Sequence, residues 1–141
     1  MIFRWFESLI DAFKEPVDGM PPPSVWRFYA FYLRQVWPVF AAAIVVGFVV
    51  AIVEVSLFGF IGSIVDMARG VPAADFFQRH GSELLWMSFV ALIVRPLAIG
   101  THDLLVNQAI VPSLTNRIRW QNHRYVIRQS LGFFQNDYAG R

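Results

Sequence analysis

Two residues stand out for the chemistry they could do where they sit. Glu54 is the single charge in the run from Pro38 to Val65, and Arg95 is the single charge between Leu84 and Thr101. A charge inside an apolar medium is costly unless it is paired or wetted. Glu54 lies twelve residues before Asp66 and Arg95 twelve residues after Glu83, so equal counts from the two ends of the intervening stretch put them at similar depth. The spacing predicts an intramembrane ion pair, which outweighs the alternative that one or both line a substrate path. His102 and Asp103 follow on the same run. Adjacent helical residues point about 100° apart, so both cannot face lipid, and one or both face a watery cavity or another helix. That bland use outweighs a proton relay.

The remaining inventory is short. The chain contains no Gly-x-x-x-x-Gly-Lys-[Ser/Thr] loop, and Lys14 is its only lysine, so no nucleotide-binding loop is expected. His80, His102 and His123 occupy three different environments and make no metal site along one helix face. No Ser-His-Asp grouping is suggested. With zero cysteines, disulfides, thiolate metal sites and a cysteine nucleophile are excluded. No catalytic, cofactor or metal site is expected within this sequence.

The elements that must position these residues follow from composition. Of 141 residues, 56% are hydrophobic and only 16% charged, against about 25% charged in soluble proteins. That balance excludes a disordered chain and argues against a soluble enzyme. A helix over 38–65 would be roughly 42 Å long, more than the ~30 Å of a hydrocarbon core. The β-branched residues there would suit a strand, but the length does not. Nor is the run a cleaved signal peptide: it is too long and begins too far into the chain. The second run, from Leu84 and resuming over Leu104–Val111, is weaker in hydropathy and reads as a second span with polar residues turned inward. Arg4, Lys14, Arg27 and Arg34 precede the first span, Arg69 and Arg79 lie in the connecting loop 66–83, and Arg117, Arg119, Arg124, Arg128 and Arg141 follow the second. This distribution predicts both termini in the cytoplasm and the loop outside. It also explains the basic tail without nucleic acid.

Residues 1–15 sort into an apolar half (Ile2, Phe3, Trp5, Phe6, Leu9, Ile10, Ala12, Phe13) and a polar arc (Arg4, Glu7, Ser8, Asp11, Lys14, Glu15), the pattern of an amphipathic helix. Such a helix lies in the membrane interface or docks on another domain. A Pro-rich linker follows over 16–23. Ser24 reads as an N-cap. Residues 24–37, rich in aromatics with Arg27 and Arg34, read as an in-plane elbow with rings at the boundary and guanidinium groups reaching for phosphates. Beyond Val111, Leu114, Ile118 and Tyr125, with Trp120, Ile127 and Leu131, suggest the packing face of an amphipathic helix. Asn116, Arg117, Arg119, Gln121 and Asn122 lie between them. A continuous second helix over about 84–131 would project far from the bilayer, ending at the Gly132-Phe133-Phe134 step. The fold class expected is therefore all-α: a membrane protein with two long transmembrane helices forming a hairpin, preceded by an amphipathic helix and an elbow.

This order, ending in Arg-Gln-Ser-Leu-Gly-Phe-Phe-Gln-Asn-Asp-Tyr-Ala-Gly-Arg over 128–141, resembles the N-terminal end of the transmembrane domain of an ABC exporter, the type that fuses permease and ATP-binding parts. The resemblance covers about residues 24–141. In that family the second helix closes with Phe-Phe-(Asp/Gln)-x-x-x-x-Gly, matched here by Phe133, Phe134, Gln135 and Gly140. Gln135 replaces the commoner acidic residue. The resemblance implies that 132–141, with Phe133, Phe134, Gln135, Gly140 and Arg141, begins a coupling region that docks on a nucleotide-binding domain. It implies a fragment of a longer protein, a dimer of half-transporters, and ATP and Mg in the absent domain. Partners would be the lipid bilayer, the remaining transmembrane helices and that domain, in a bacterial inner membrane. The rival reading is a small two-span scaffold or assembly protein without transport activity.

Overall fold

A computed structural model describes residues 2–15, 24–69, 73–130 and 132. Every regular element among them is helical. In order they are α1 (Ile2–Glu7), α2 (Val25–Ala68), α3 (Ala73–Phe89), α4 (Arg95–Asp103) and α5 (Val111–Ile127), with π-helical turns at Val90–Val94 and Leu104–Ile110. Two helical runs, Val25–Ala68 and Asp75–Ile127, are long and apolar enough to cross a membrane. Only 17% and 6% of their most apolar windows are buried within the chain, unlike the core helix of a soluble domain.

Several boundaries differ from those read in the sequence. The N-terminal helix ends at Glu7 and does not run to residue 15. Polar side chains capture the main chain there: Ser8 Oγ donates to the Trp5 carbonyl at 2.7 Å, and Asp11 Oδ1 accepts the Phe13 N–H at 2.9 Å. Such local bonds compete with helical ones. No break separates the expected elbow from the first span, because α2 runs through both with Pro38 inside it. The connecting loop is shorter than 66–83. Helix α2 persists to Ala68, and α3 is already formed at Ala73, with Asp75 in its first turn complementing the helix dipole. At the other end α5 stops at Ile127, not Leu131. Arg128 takes φ −89° and ψ −3°, and its N–H bonds the carbonyls of Tyr125 and Val126.

The prolines widen the second run without breaking it. Proline lacks an N–H and clashes with the carbonyl four residues back. One π turn ends at Val94, before Pro96, and the other at Ile110, before Pro112. In the first, the Arg95 N–H reaches back five residues to the Val90 carbonyl. The wider turn absorbs the misfit while keeping the backbone bonded.

The chain divides into two compact units, one of residues 1–40 with 106–141 and one of residues 41–105. In the second unit, Gly47 faces His102 and Glu54 meets Arg95, so the contacts step forward along α2 and backward along α4, an antiparallel register. A Cβ on Gly47 would lie 3.3 Å from His102 Nε2, so glycine makes the room the imidazole occupies. Small residues allow close helix approach of this kind. Ala43, Val53, Val90 and Leu105 are buried, but the larger side chains point outward: Phe58 is 74% exposed and Leu92 72%. The first unit buries Phe6, Ile10, Tyr32, Val36, Ala109 and Ile110 together with Ser113, Arg117 and Gln121.

Candidate functional site

The two units hold separate constellations. In the unit of residues 41–105, α2 carries Glu54 and α4 carries Arg95, and the structure brings them together. Arg95 Nε donates to Glu54 Oε1 at 2.8 Å. The side chains remain 45% and 37% exposed, so the pair sits at the edge of the helix contact. Farther along the same pair of helices, His102 packs against Gly47, and its Nδ1 lies 3.9 Å from Asp103 Oδ1. Two hydroxyls on these helices bond their own backbone: Ser56 Oγ to the Ile52 carbonyl at 2.8 Å, and Thr101 Oγ1 to the Leu97 carbonyl at 2.7 Å. Both satisfy themselves without water. Elsewhere in this unit, Ser63, Met67, Ser82, Glu83, Trp86 and Met87 line an open groove of about 450 Å³.

The other constellation centres on Arg117. It is 3% exposed, although it carries a charge that arginine keeps in proteins. Its Nε donates to the main-chain carbonyl of Asp11 at 2.8 Å, and a terminal guanidinium nitrogen reaches the Gln35 carbonyl at 3.4 Å. One turn on, Gln121 Nε2 donates to Gln35 Oε1 at 3.0 Å and to the Lys14 carbonyl at 3.5 Å. The Tyr32 hydroxyl donates to Asn122 Oδ1 at 3.2 Å. The N-terminal segment is held along the second run at further points. Gln108 Nε2 donates to Glu7 Oε1 at 2.7 Å, Phe13 meets Trp120 edge to face at 5.4 Å between ring centres, and Arg124 bonds Glu15 at 3.1 Å. Residues 7–15 thus follow the run from 108 to 124 in the same direction.

This cluster amends one sequence expectation: Leu114, Ile118, Trp120 and Tyr125 are half-buried, but the most deeply buried positions are polar. The buried positions of α5 are Ser113, Arg117 and Gln121, a polar stripe at four-residue spacing, whereas Ile127 is 57% exposed. Residues 8–15 are not helical, so their carbonyls need donors, and the polar face of α5 supplies them. The four-residue spacing was visible in the sequence. Its sign was not, because Arg117 and Gln121 read as a watery face until an irregular backbone lies against them. The amphipathic pattern of 1–15 is likewise divided: Phe6 and Ile10 are buried, while Phe3, Trp5 and Phe13 are exposed.

No group of three metal-ligating side chains occurs among the described residues. Phe133, Phe134, Gln135, Gly140 and Arg141 lie outside the described residues, as does the linker 16–23.

The chain is similar to an uncharacterized ABC transporter ATP-binding protein of Haemophilus influenzae, with 29% identity over 145 aligned residues. The alignment takes in 99% of this chain and 23% of that protein, so the chain spans about a quarter of its relative's length. No family model and no solved structure matches.

Two outcomes follow from these geometries. Glu54→Gln and Arg95→Gln should each lower the unfolding midpoint of the detergent-solubilised chain, and the double variant should cost less than their sum by about 1 kcal/mol. Additive losses would show that the two side chains act independently. Arg117→Met should strip donors from the Asp11 and Gln35 carbonyls, costing about 3 kcal/mol. Hydrogen exchange over residues 8–15 should then rise steeply, while in the exposed control Arg119→Met it should stay as in the parent. Equal protection in both variants would remove Arg117 as the anchor.

Proposed function

We propose that this chain forms the N-terminal part of the transmembrane domain of an ATP-driven ABC exporter. The observation that carries the reading is the similarity, from end to end of this chain, to one quarter of an ABC transporter ATP-binding protein. The stretch so matched contains two helical runs apolar enough to cross a membrane and no nucleotide-binding loop. In this reading the longer protein supplies the further helices and the domain that holds ATP and Mg, and two half-transporters pair. The helices work by alternating access, as rigid levers between the translocation path and the ATPase domain. Glu54 and Arg95 brace the two spans. Residues 132–141 carry the motion outward, with Phe133, Phe134 and Gln135 seated on the nucleotide-binding domain and Gly140 and Arg141 continuing the coupling region.

The charge distribution sets the direction: both ends in the cytoplasm of a bacterial cell, the turn between the runs outside. Because the sequence has no cysteine, single-cysteine variants label unambiguously. Gln78→Cys, exposed on α3, should react with an impermeant maleimide in intact cells. Arg128→Cys, exposed beyond α5, should react only after permeabilisation. The opposite pattern would overturn the orientation. The coupling role is tested in the longer protein by Phe134→Ala. Truncating an aromatic ring at a docking point removes free energy shared between sites and leaves the sites themselves intact. Substrate stimulation of ATP hydrolysis should fall several-fold while substrate binding changes less than about twofold. Full stimulation in both Phe134→Ala and Phe133→Ala would leave these residues as ordinary helix-end packing.

A further inference from the structure

The first unit shows an imbalance between its charges. Among the described residues of 2–15 and 24–37, each carboxylate has a partner inside the chain. Glu7 accepts from Gln108, Asp11 from the Phe13 N–H, and Glu15 from Arg124. The cations are Arg4, Lys14, Arg27 and Arg34. All four are exposed, and none of their side chains has an ion-pair or hydrogen-bond partner among the described residues. Only Glu15 is met by a cation, Arg124, so these two segments carry four outward cations against two carboxylates, Glu7 and Asp11, whose partners are neutral.

Aromatic rings accompany those cations. On α2, Trp26, Tyr29, Leu33 and Trp37 recur at three- and four-residue spacing, which places them on one face. Trp26 is 82% exposed and Trp37 64%, while Tyr32 and Val36, about a quarter-turn around the helix from the centre of this stripe, are 2% exposed each. Arg27 and Arg34 lie two turns apart beside this stripe. The N-terminal segment repeats the pairing: docked through Phe6 and Ile10, it leaves Phe3, Trp5 and Phe13 outward next to Arg4 and Lys14. Rings with free cations between them do not suit water, and they do not suit hydrocarbon either. They suit the layer between, where indole and phenol rings settle among the headgroups and guanidinium and ammonium groups meet phosphate.

We propose that the exposed aromatic and basic face of residues 2–15 and 24–37 binds anionic phospholipid headgroups, so that this unit selects acidic lipid over zwitterionic lipid. The occupant is argued from charge complementarity: four exposed cations without a partner among the described residues outnumber the two carboxylates beside them, and a leaflet containing phosphatidylglycerol or a similar lipid supplies the anionic surface they lack. Each basic residue near such a surface strengthens attraction by about fivefold. The docked N-terminal segment then has a definite use, which is to add Arg4 and Lys14 to a face that α2 alone would present with two arginines. This goes beyond the transport reading and does not depend on it.

The test is lipid selectivity of the whole chain in phosphatidylcholine vesicles, read by electron spin resonance as the relative association of spin-labelled phosphatidylglycerol over spin-labelled phosphatidylcholine. The parent chain should prefer phosphatidylglycerol several-fold. Replacing Arg4, Lys14, Arg27 and Arg34 together by Gln should bring the ratio close to one, whereas Arg119→Gln with Arg128→Gln should keep most of it. Arg27→Lys with Arg34→Lys should also keep it, since the charge is retained. Should the fourfold variant fail to insert, the parent chain decides: raising sodium chloride from about 0.05 M to about 0.5 M should abolish the preference by screening. A ratio near one in the parent would overturn the proposal and leave this face to a protein partner. A salt-insensitive preference, or one lost only in the Arg119 and Arg128 variant, would overturn it as well.

Discussion

A main chain surrounded by apolar side chains has to satisfy its own N–H and C=O groups, and helix is the way a single segment does so. That constraint shapes residues 38–65 and the run after Ala73 more than any side-chain preference. Val45, Val46, Val49 and Val50 would sit comfortably in a strand, yet α2 passes through them unbroken. Pro96 and Pro112 each remove a donor, and the backbone widens into a π turn without opening. Ser56 and Thr101 turn their hydroxyls onto their own helices. Glu54 and Arg95 answer each other. All of these are local solutions to one requirement, that nothing polar be left unanswered.

The same requirement has a different solution where the backbone is irregular. Residues 8–15 leave the helix because Ser8 and Asp11 bond the nearby main chain. The carbonyls so released are met by Arg117 and Gln121 from α5. A buried guanidinium is expensive to desolvate, and it is tolerated here because its N–H groups find oxygens in fixed positions. Its partners come from two distant parts of the sequence, Asp11 and Gln35, so one side chain ties the N-terminal segment and the start of α2 to the same helix. Phe13 against Trp120 and Glu15 against Arg124 extend the seam on either side of Gln121.

What could be read from the sequence was whatever depends on long runs and counting. The two apolar stretches are legible from their length and their scarcity of charge, and the opposed positions of Glu54 and Arg95 follow from equal distances to a turn. The boundaries were less legible. Aromatic rings together with Arg27 and Arg34 suggest a separate elbow over 24–37, yet one proline at position 38 is not enough to end a helix whose next turns are strongly apolar. Residues 73–83 looked like loop because they carry Asp75, Arg79 and Glu83, though charges at that density are compatible with an exposed helical surface. The polar stripe Ser113-Arg117-Gln121 was the hardest, since its burial depends on carbonyls about one hundred residues away in the chain. No window along the sequence holds both halves of that interaction.

The two π turns give the pins of the second unit their importance. They bracket Arg95–Asp103, the segment that bears Arg95 and His102. Removing or adding one residue of helical bulge rotates everything beyond it by about 100° around the axis. A segment with such a turn at each end has its rotational phase set weakly by its own backbone. Contacts with α2 must then set it. Glu54 fixes the phase by charge at Arg95, and Gly47 fixes it by shape, since a Cβ there would lie 3.3 Å from Nε2 of His102 and press the imidazole out of its present place. The two contacts lie seven residues apart along each helix, two turns, so they act on the same face. Either alone would permit some rotation about the other. Together they select one phase for the segment, and with it which of its side chains meet α2 and which are turned outward.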